Sequence, residues 1–399
     1  MLRWLVLDLN SFFASCEQQE HPELRGKPVI VVPTMAETTC AIAASYPAKA
    51  FGIKTGTLVH EARRLCPDVQ LVRAHHKLYV EYHHRILAAI DRHIPVEEVM
   101  SIDEVACRLD KVQQDPVVAR TLAHNIKREI RSQVGECLTS SIGISANKLL
   151  AKLASNMQKP DGLVMLPLEG LPASILHLKL RDIPGIGPNM AERLQDANIS
   201  SIAELWNADT ARLRLIWGGV AGVKMHGLLH GEDIVSAKTN RSSISHQHVL
   251  APDERSIEAA APVMRQLLVR AAQRLRDDGF YCRRLSVDVK WLGRDRDSWS
   301  DKRSFSETQD TGMLLHVLQD IWRRVPKLKP LRVGVALSGL ADQTEHQPDL
   351  FDKPKDARLI HAIDAVNEKF GRGALVYGDA APDQISKIAF QRVPKVKEF

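Results

Sequence analysis

Strand-like and helix-like patterns alternate over the first 166 residues, and this alternation limits the fold more than any other feature of the sequence. Residues 4–8 form a short apolar strand that ends on an aspartate, and residues 28–33 form a buried strand bracketed by prolines. Apolar residues recur at three- and four-residue steps in the stretch 77–93, as in an amphipathic helix: Tyr79, Tyr82, Ile86 and Ile90. The alternation predicts one mixed α/β unit.

The remainder of the chain has a different organisation. Residues 170–232 carry helical patterns interrupted by glycine and proline, and residues 233–242 form a polar linker. Residues 243–340 combine a helical face with strands of alternating polarity, and a tail beyond residue 341 holds one further helix. At 399 residues the chain exceeds what a single core supports, so we predict a multidomain protein of α/β and α+β units.

The amino-acid composition excludes fewer classes of function than these patterns do. The net charge of +6 at pH 7 is compatible with a nucleic-acid partner without requiring one. The six cysteines contain no C-x-x-C pair, which argues against a zinc framework and against a secreted disulfide scaffold. We find no signal peptide and no apolar run near the ~20 residues of a membrane-spanning helix. We therefore expect a cytoplasmic protein with no membrane partner.

Three carboxylates mark the candidate catalytic site. Asp8 closes the first strand, and Asp103 and Glu104 lie together in a second strand or hairpin at 96–109. Carboxylates are preferred ligands of Mg²⁺, and two such ions about 3.5–4 Å apart activate a 3′-hydroxyl and neutralise a departing pyrophosphate. Neighbouring residues on a flat strand point to opposite faces, so Asp103 and Glu104 can share a site only at a strand end or bend. The Leu9 carbonyl is a further candidate ligand, and Mn²⁺ is expected to substitute for Mg²⁺.

The sequence around these carboxylates resembles the motifs of Y-family translesion DNA polymerases. Residues 7–17 (LDLNSFFASCE) resemble the opening motif of the family, and residues 101–104 (SIDE) match its second acidic motif at the expected distance. Other similar segments occur in family order within the first 340 residues: 25–32, 44–53, 141–148 and 158–162. Asn10 and residues 15–17 resemble the UmuC branch more than the DinB branch, so we expect the chain to group with UmuC.

The resemblance implies a right-hand polymerase. Its palm would comprise residues 1–10 and 76–165, and its fingers would comprise residues 11–75. The helical region 166–232 would be a thumb with a helix–hairpin–helix motif. After the linker at 233–242, the α+β region 243–340 would be the little finger, and residues 341–399 would form a C-terminal tail with a clamp-binding peptide.

The resemblance also assigns roles at the reaction centre. Asp8, Leu9, Asp103 and Glu104 would bind the two metal ions, with Asp103 and Glu104 as the catalytic pair. Phe13 would be the steric gate, an aromatic ring that collides with a 2′-hydroxyl on the incoming sugar. The enzyme would therefore select deoxynucleotides.

Other positions match contacts to the incoming dNTP and to the template. The triphosphate contacts would come from Tyr46, Lys49, Lys159 and the backbone N–H groups of Phe12 and Phe13. Lys49 stands where the family usually has arginine, which removes bidentate binding, so Lys54 and Lys148 are alternative cations. Cys40 and Ile42 belong to a segment that would form a roof over the templating base.

Two regions are predicted to hold primer–template DNA. In the thumb, Gly185 and Gly187 would let backbone N–H groups approach a phosphate without obstruction by side chains. In the region 243–340, basic residues on or beside outward strand positions would follow the DNA backbone, among them Arg284, Lys290 and Arg303.

Protein partners are indicated in the tail. Gln347-Pro348-Asp349-Leu350-Phe351 resembles the peptide that docks in the bacterial sliding clamp, with Leu350 and Phe351 as apolar anchors. Residues 367–373 resemble a UmuC-type C-terminus, which is compatible with a UmuD-like regulatory subunit. Paired histidines at 75–76 and 83–84 lack the i, i+4 spacing of a helical metal site, so we interpret them as solvated or phosphate-facing.

These features together predict low-fidelity, template-directed DNA synthesis past damaged bases, without proofreading, by a nucleoid-associated enzyme. Two alternatives stay open. A non-catalytic relative could scaffold the clamp and another polymerase, although such relatives lack the acidic ligands. A metal-dependent nuclease with a helix–hairpin–helix module would shorten a labelled primer, whereas a polymerase would lengthen it.

Overall fold

The computed structural model describes residues 1–234, 241–293, 297–346, 357–370 and 374–375. These residues form two compact units, one on either side of the segment 235–240. None of the helices in the described part of the chain is long and apolar enough to cross a membrane. The prediction of a multidomain protein with α/β and α+β units is confirmed.

The first unit contains ten helices and eight strands among residues 1–234. Its strands are β1 (Trp4–Leu9), β2 (Val29–Val32), β3 (Ala43–Ala44), β4 (Gln70–Arg73), β5 (Glu98–Val99), β6 (Glu104–Arg108), β7 (Ser140–Ser145) and β8 (Leu163–Leu166). Its helices are α1 (Phe12–Glu20), α2 (Tyr46–Ala50), α3 (Val59–Leu65), α4 (His76–Asp91), α5 (Pro116–Gln133), α6 (Lys148–Met157), α7 (Pro188–Asp196), α8 (Ile202–Asn207), α9 (Thr210–Trp217) and α10 (Val220–Leu229).

The main sheet of this unit has the order β5-β6-β1-β7-β8, with β1 in its centre. Successive side chains of a strand point to opposite faces. Leu5 and Leu7 lie in a core shared with α4 and α5, whereas Trp4 and Val6 pack on the other face against Ala151 of α6. Asp8 is on the same face of β1 as Trp4 and Val6, because it lies two residues beyond Val6. Its carboxylate therefore projects on the face that α6 covers.

A smaller sheet, in the order β3-β2-β4, has its own core with α2 and α3. Between the two sheets in sequence, α1 buries Phe12, Ala14 and Cys16 in the core of the main sheet. Helix α1, which the sequence analysis assigns to the fingers, thus packs on the main sheet; the domain boundary at residue 11 stays a prediction.

Helices α7 to α10 form a helical module around a third core. Leu150, Leu153 and Ala154 of α6 are part of this core, so α6 packs against both the main sheet and the helical module. Asn147 fixes the start of α6, because its side-chain oxygen accepts a hydrogen bond from the Leu150 N–H at 2.9 Å. The amide group of Asn147 also donates to the carbonyls of Leu228 and Glu232, at 2.7 and 2.8 Å.

The second unit is an α+β sandwich of one sheet and its covering helices. Its elements are β9 (Ser243–Val249), α11 (Ile257–Asp277), β10 (Phe280–Trp291), β11 (Ser298–Thr308), α12 (Thr311–Trp322), β12 (Pro330–Ser338), β13 (Ala341–Asp342) and α13 (Ala357–Phe370). The sheet order is β11-β10-β12-β9, and Leu285, Val287 and Val289 of β10 are buried with α11 and α12. The predicted alternation of β10 and β12 and the helix in the tail are confirmed.

The start of α1 is unusual, and the interpretation of the paired histidines is wrong. Ser11 precedes α1, but it has a left-handed backbone with φ 49° and its side chain makes no capping hydrogen bond. The neighbouring Asn10 side chain bonds into the sheet instead, to Ser141 Oγ at 3.0 Å. His76 and His83 are buried rather than solvated, because α4 turns both into the palm core.

Candidate active site

Strand pairing brings Asp8 and Glu104 together. In the antiparallel pair of β1 and β6, Asp8 is directly opposite Glu104, so both side chains project from the same face of the sheet. Asp103 lies in the bend immediately before β6, and its carbonyl accepts a hydrogen bond from the Leu9 N–H at 2.9 Å. The bend gives Asp103 and its neighbour Glu104 the strand-end geometry that a shared site requires.

The charges of these three carboxylates influence each other. Burial raises the pKa of Asp103, a hydrogen bond from Ser101 opposes this effect, and the charges of Asp8 and Glu104 raise the pKa further. Concentrated negative charge of this kind favours a bound cation.

Two lysines neutralise this charge in the structure. The Lys152 ammonium, from α6, contacts the Asp8 carboxylate and lies 2.9 Å from Glu104 Oε1. Lys159 Nζ lies 2.6 Å from the other oxygen of Asp8. Burial alone would lower the pKa of Lys152, but Asp8 and Glu104 together raise it. Lys152 is therefore a charged member of the site that the sequence analysis did not identify.

The carboxylates fit a hard divalent cation by ligand type and by charge. Within the described residues, no group of three His, Cys, Asp or Glu side chains is already arranged as a metal site. At Asp8, both carboxylate oxygens contact ammonium groups. Metal binding would require these ion pairs to rearrange.

The charges of the carboxylates act on three further residues: Tyr46, Lys49 and Lys159. Tyr46 begins α2, and Lys49 one turn later places its ammonium 4.3 Å from the centre of the Tyr46 ring. Partial burial and the Asp8 charge raise the pKa of Tyr46. Partial burial and the Lys159 ammonium lower the pKa of Lys49, while Asp8 acts in the opposite direction. A cationic cluster next to the carboxylates is well suited to a triphosphate.

The alternative cations are placed differently. Lys148 pairs with Glu98 and lies 5.2 Å from the centre of the Trp4 ring. Lys54 is exposed, with its backbone N–H bonded to the Thr57 hydroxyl at 3.1 Å. Lys49 and Lys159 are thus the predicted cations that the structure brings to the carboxylates.

Phe13 has an aromatic support. Its ring stacks on Tyr79 of α4, with centroids 4.3 Å apart and planes inclined by 15°. The Tyr79 hydroxyl donates to Glu17 at 2.6 Å, and the Nδ1 atom of His75 lies 3.0 Å from the same carboxylate. Burial and the Glu17 charge raise the pKa of Tyr79, which therefore stays a phenol. Phe12, by contrast, is buried in the palm core, leaving only its backbone for a ligand.

The predicted roof residues lie in the segment between β2 and β3. Cys40 is half-buried and pairs through its backbone with Leu58. Ile42 is also half-buried and packs against the palm core. Their role above a template base stays a prediction.

The thumb hairpin has the geometry that its glycines predict. Gly185 has φ 92°, which favours glycine, and Gly187 precedes α7. A Cβ atom built on Gly187 would meet no protein atom within 4 Å, so the backbone here is open on that side. The hairpin therefore leaves room for a phosphate at the start of α7.

The exposed face of the second sheet carries cations among small residues. Arg284 and Lys290 lie on this outward face of β10, and Lys302 joins them because it is paired with Ser286. Arg303 is exposed beside Lys302 but pairs with Leu285, so its side chain points to the helix-covered face rather than the outward one. Its contact with DNA stays a prediction. Strand β11 lies at the sheet edge, where Trp299 and Phe305 pack on the helix-covered face but charged residues share that face with them. The face of Arg303 therefore follows from the strand pairing rather than from the local sequence.

The predicted clamp-binding peptide, with Gln347, Leu350 and Phe351, lies outside the described residues. So does Arg294. Of the segment 367–373, the structure describes the end of α13, where the Asn367 amide and the backbone of Leu375 exchange hydrogen bonds of 3.0 and 2.9 Å.

Family models match most of the chain. Residues 7–156 match the impB/mucB/samB family, and residues 241–350 match its C-terminal domain. Residues 178–218 match a SAM-like helix-hairpin-helix tandem.

Named relatives match at greater length. A DNA polymerase IV of Moorella thermoacetica is 36% identical over 390 residues, covering 92% of this chain and 93% of the relative. One of Pelotomaculum thermopropionicum is 34% identical, with 93% and 94% covered. A solved Y-family DNA polymerase chimera superposes with a TM-score of 0.73 at 24% identity, covering 86% of this chain and all of the chimera.

The fold and the acidic site define a right-hand polymerase with a little finger. The chain belongs to the Y family of DNA polymerases. Its grouping with the UmuC branch is wrong, because the extended matches are to DNA polymerase IV, which places the chain in the DinB branch. Four residues, Asn10 and those at 15–17, are too few to outweigh 36% identity over 390 residues.

Proposed function

We propose that this chain is a DNA-directed DNA polymerase that extends a primer 3′-end past damaged template bases, using two Mg²⁺ ions held by Asp8, Asp103 and Glu104. The observation that carries the proposal is the register of β1 and β6, which sets Asp8 opposite Glu104 beside the Asp103 bend. Family membership supports the activity, and the cationic cluster supports a triphosphate substrate.

We assign the carboxylates, the cationic residues and Phe13 different roles in this reaction. Cations bound to the carboxylates would lower the pKa of the primer 3′-hydroxyl and neutralise charge on the pyrophosphate. Tyr46, Lys49 and Lys159 hold the triphosphate, and the N–H groups at the start of α1 add to this grip. Phe13 would collide with a 2′-hydroxyl on the incoming sugar and so select deoxynucleotides, and its stack on Tyr79 supports this role.

The DNA is held by backbone contacts without sequence preference. The hairpin at Gly185 and Gly187 binds phosphates of the duplex, and Arg284, Lys290 and Lys302 follow its backbone. We further propose the bacterial sliding clamp as a partner, through the peptide from Gln347 to Phe351, and a cytoplasmic, nucleoid-associated location. The DinB grouping removes the main support for a UmuD-like subunit, so we do not propose one as a partner.

The test is primer extension with Mg²⁺ and four dNTPs, on an undamaged template and on one with an abasic site. We expect the wild type to lengthen the primer on both templates and Asp103→Ala to lengthen it on neither. Asp110→Ala is the matched control, because Asp110 is an exposed carboxylate seven residues away in a turn after β6.

The same gel distinguishes the alternatives. A nuclease would shorten the labelled primer in the presence of Mg²⁺. A scaffold would leave it unchanged in wild type and variant alike. The scaffold is disfavoured because the chain keeps all three acidic residues.

A further inference from the structure

Lys152 occupies a position that the proposed mechanism does not use. Its helix, α6, covers the face of the main sheet from which Asp8 and Glu104 project, and Ala151 packs there on Trp4 and Val6. The Lys152 side chain is mostly buried and lies between the two carboxylates. The helix therefore brings the Lys152 ammonium to the two carboxylates.

The contacts of Lys152 are those that a divalent cation would need. Its ammonium contacts one oxygen of Asp8 and lies 2.9 Å from one oxygen of Glu104. Lys159 takes the second Asp8 oxygen but follows the end of α6, where it can exchange the carboxylate for a phosphate. Lys152 belongs to the helix itself, so its charge stays near the site even when a cation displaces its contacts.

We propose that Lys152 is a resident counter-cation that competes with the divalent metal for Asp8 and Glu104 and so keeps metal affinity low in the nucleotide-free enzyme. This inference rests on the metal site of the proposed function. A fixed positive charge close to a dication opposes its binding, whereas a triphosphate brings negative charge that offsets this repulsion. Metal loading would therefore be coupled to the arrival of the nucleotide.

A control residue lies on the same helix. Lys148, one turn before Lys152, pairs with Glu98 instead of with the carboxylates of the site. Lys148→Met removes the same charge from the same helix, so it reports any general effect of losing a lysine from α6.

The experiment measures Mn²⁺ binding to the full chain without nucleotide, by electron paramagnetic resonance of the free ion. We expect Lys152→Met to bind Mn²⁺ about tenfold more tightly than the wild type, on the electrostatic argument above. Lys152→Arg keeps the charge and is expected to stay within about twofold of the wild type, as is Lys148→Met. Lys152→Gln provides a polar replacement if the methionine variant does not fold.

Thermal unfolding gives a second readout. In EDTA, Lys152→Met leaves the carboxylates less neutralised, so its Tm is expected to fall below that of the wild type. Its gain in Tm on addition of Mn²⁺ is expected to exceed the wild-type gain, because the metal now replaces the missing charge.

The failures of the two ideas can be told apart. Mn²⁺ affinity that is unchanged or weaker in Lys152→Met and Lys152→Gln overturns the competition by Lys152. If Asp103→Ala binds Mn²⁺ as tightly as the wild type, the metal site itself is misassigned, and the proposed function fails with it.

Discussion

Glu17 is a fully buried carboxylate, and its partners explain how it is tolerated behind Phe13. It accepts a hydrogen bond from the Tyr79 hydroxyl and lies within hydrogen-bonding distance of His75. A buried charge is costly unless it is hydrogen-bonded, so the loss of one donor leaves an expensive group behind. The aromatic stack under Phe13 therefore depends on a polar network beneath it.

Replacement of Tyr79 by phenylalanine tests this dependence. We expect Tyr79→Phe to lower the free energy of unfolding by about 1–3 kcal/mol, the cost of an unsatisfied buried group. Urea denaturation followed by circular dichroism measures the change. Tyr82→Phe is the matched control, since Tyr82 makes the same 2.6 Å bond to the exposed Glu20. Equal losses in both variants would contradict a special cost at Glu17.

How far single residues could be predicted depends on whether they belong to a local motif. Asp8, Asp103 and Glu104 stand in short recognisable segments, and strand pairing then aligns them. Lys152 stands in a plain amphipathic helix, and its role arises only because α6 covers the face that bears Asp8. The available signal was a lysine directly between apolar residues, Ala151 and Leu153, a pattern shared by many solvated lysines.

Among the secondary-structure elements, α4 supports the bend that carries Asp103. The Nδ1 atom of His83 lies 2.7 Å from the Ile102 carbonyl, so the ring donates its proton to the backbone just before Asp103. Burial lowers the pKa of His83 from 6.5 to about 4. His83 is therefore neutral in the folded protein at neutral pH.

This shift predicts a specific loss of stability in acid. Because the pKa of His83 is lower in the folded state, the unfolded state binds its proton more readily, and the stabilisation present above pH 6.5 is lost as the pH falls towards 4. The full loss is about 3 kcal/mol. Unfolding by urea at pH 7, 5.5 and 4.5 should show a shallower decline for His83→Gln. His124→Gln, an exposed histidine on α5, should decline like the wild type; if the two variants behave alike, His83 is not the cause.

The elements themselves followed from periodicity, whereas their ends and faces did not. Helix α4 and strands β10 and β12 appear where apolar spacing predicts them. The start of β6 at Glu104, which creates the Asp103 bend, depends on pairing with β1 rather than on the local sequence. The face of Arg303 likewise depends on pairing with β10.

For the whole molecule, the grip on DNA is expected to be electrostatic and shared by several surfaces. The outward face of the second sheet carries cations among serines, glycine and alanine, together with Asp288, which pairs with Arg332 at 3.5 Å. The small residues let a phosphate backbone approach the cations closely. Each cation that contacts a phosphate contributes a step to the salt dependence of binding.

Adjacent residues on β11 provide the test. We expect Lys302→Ala to weaken primer–template binding and to reduce the slope of log affinity against log salt by about 1, because Lys302 lies on the outward face. Arg303→Ala removes the same charge from the other face and should leave the slope unchanged. Fluorescence anisotropy at several salt concentrations measures both. A larger effect of Arg303→Ala would mean that DNA contacts the edge of the sheet rather than its face.

Helix α6 and the residues at its two ends serve three purposes: Asn147 at its start holds the end of the helical module, Lys152 lies at the carboxylates, and Lys159 follows its last turn. Each residue of a helix advances about 1.5 Å and turns about 100°. A single inserted or deleted residue would therefore swing Lys152 away from Asp8 while Asn147 stayed in place. Insertions in the surface turns would leave this arrangement intact. A change in the length of α6 would not, because the helix sets the distances between Asn147, Lys152 and Lys159.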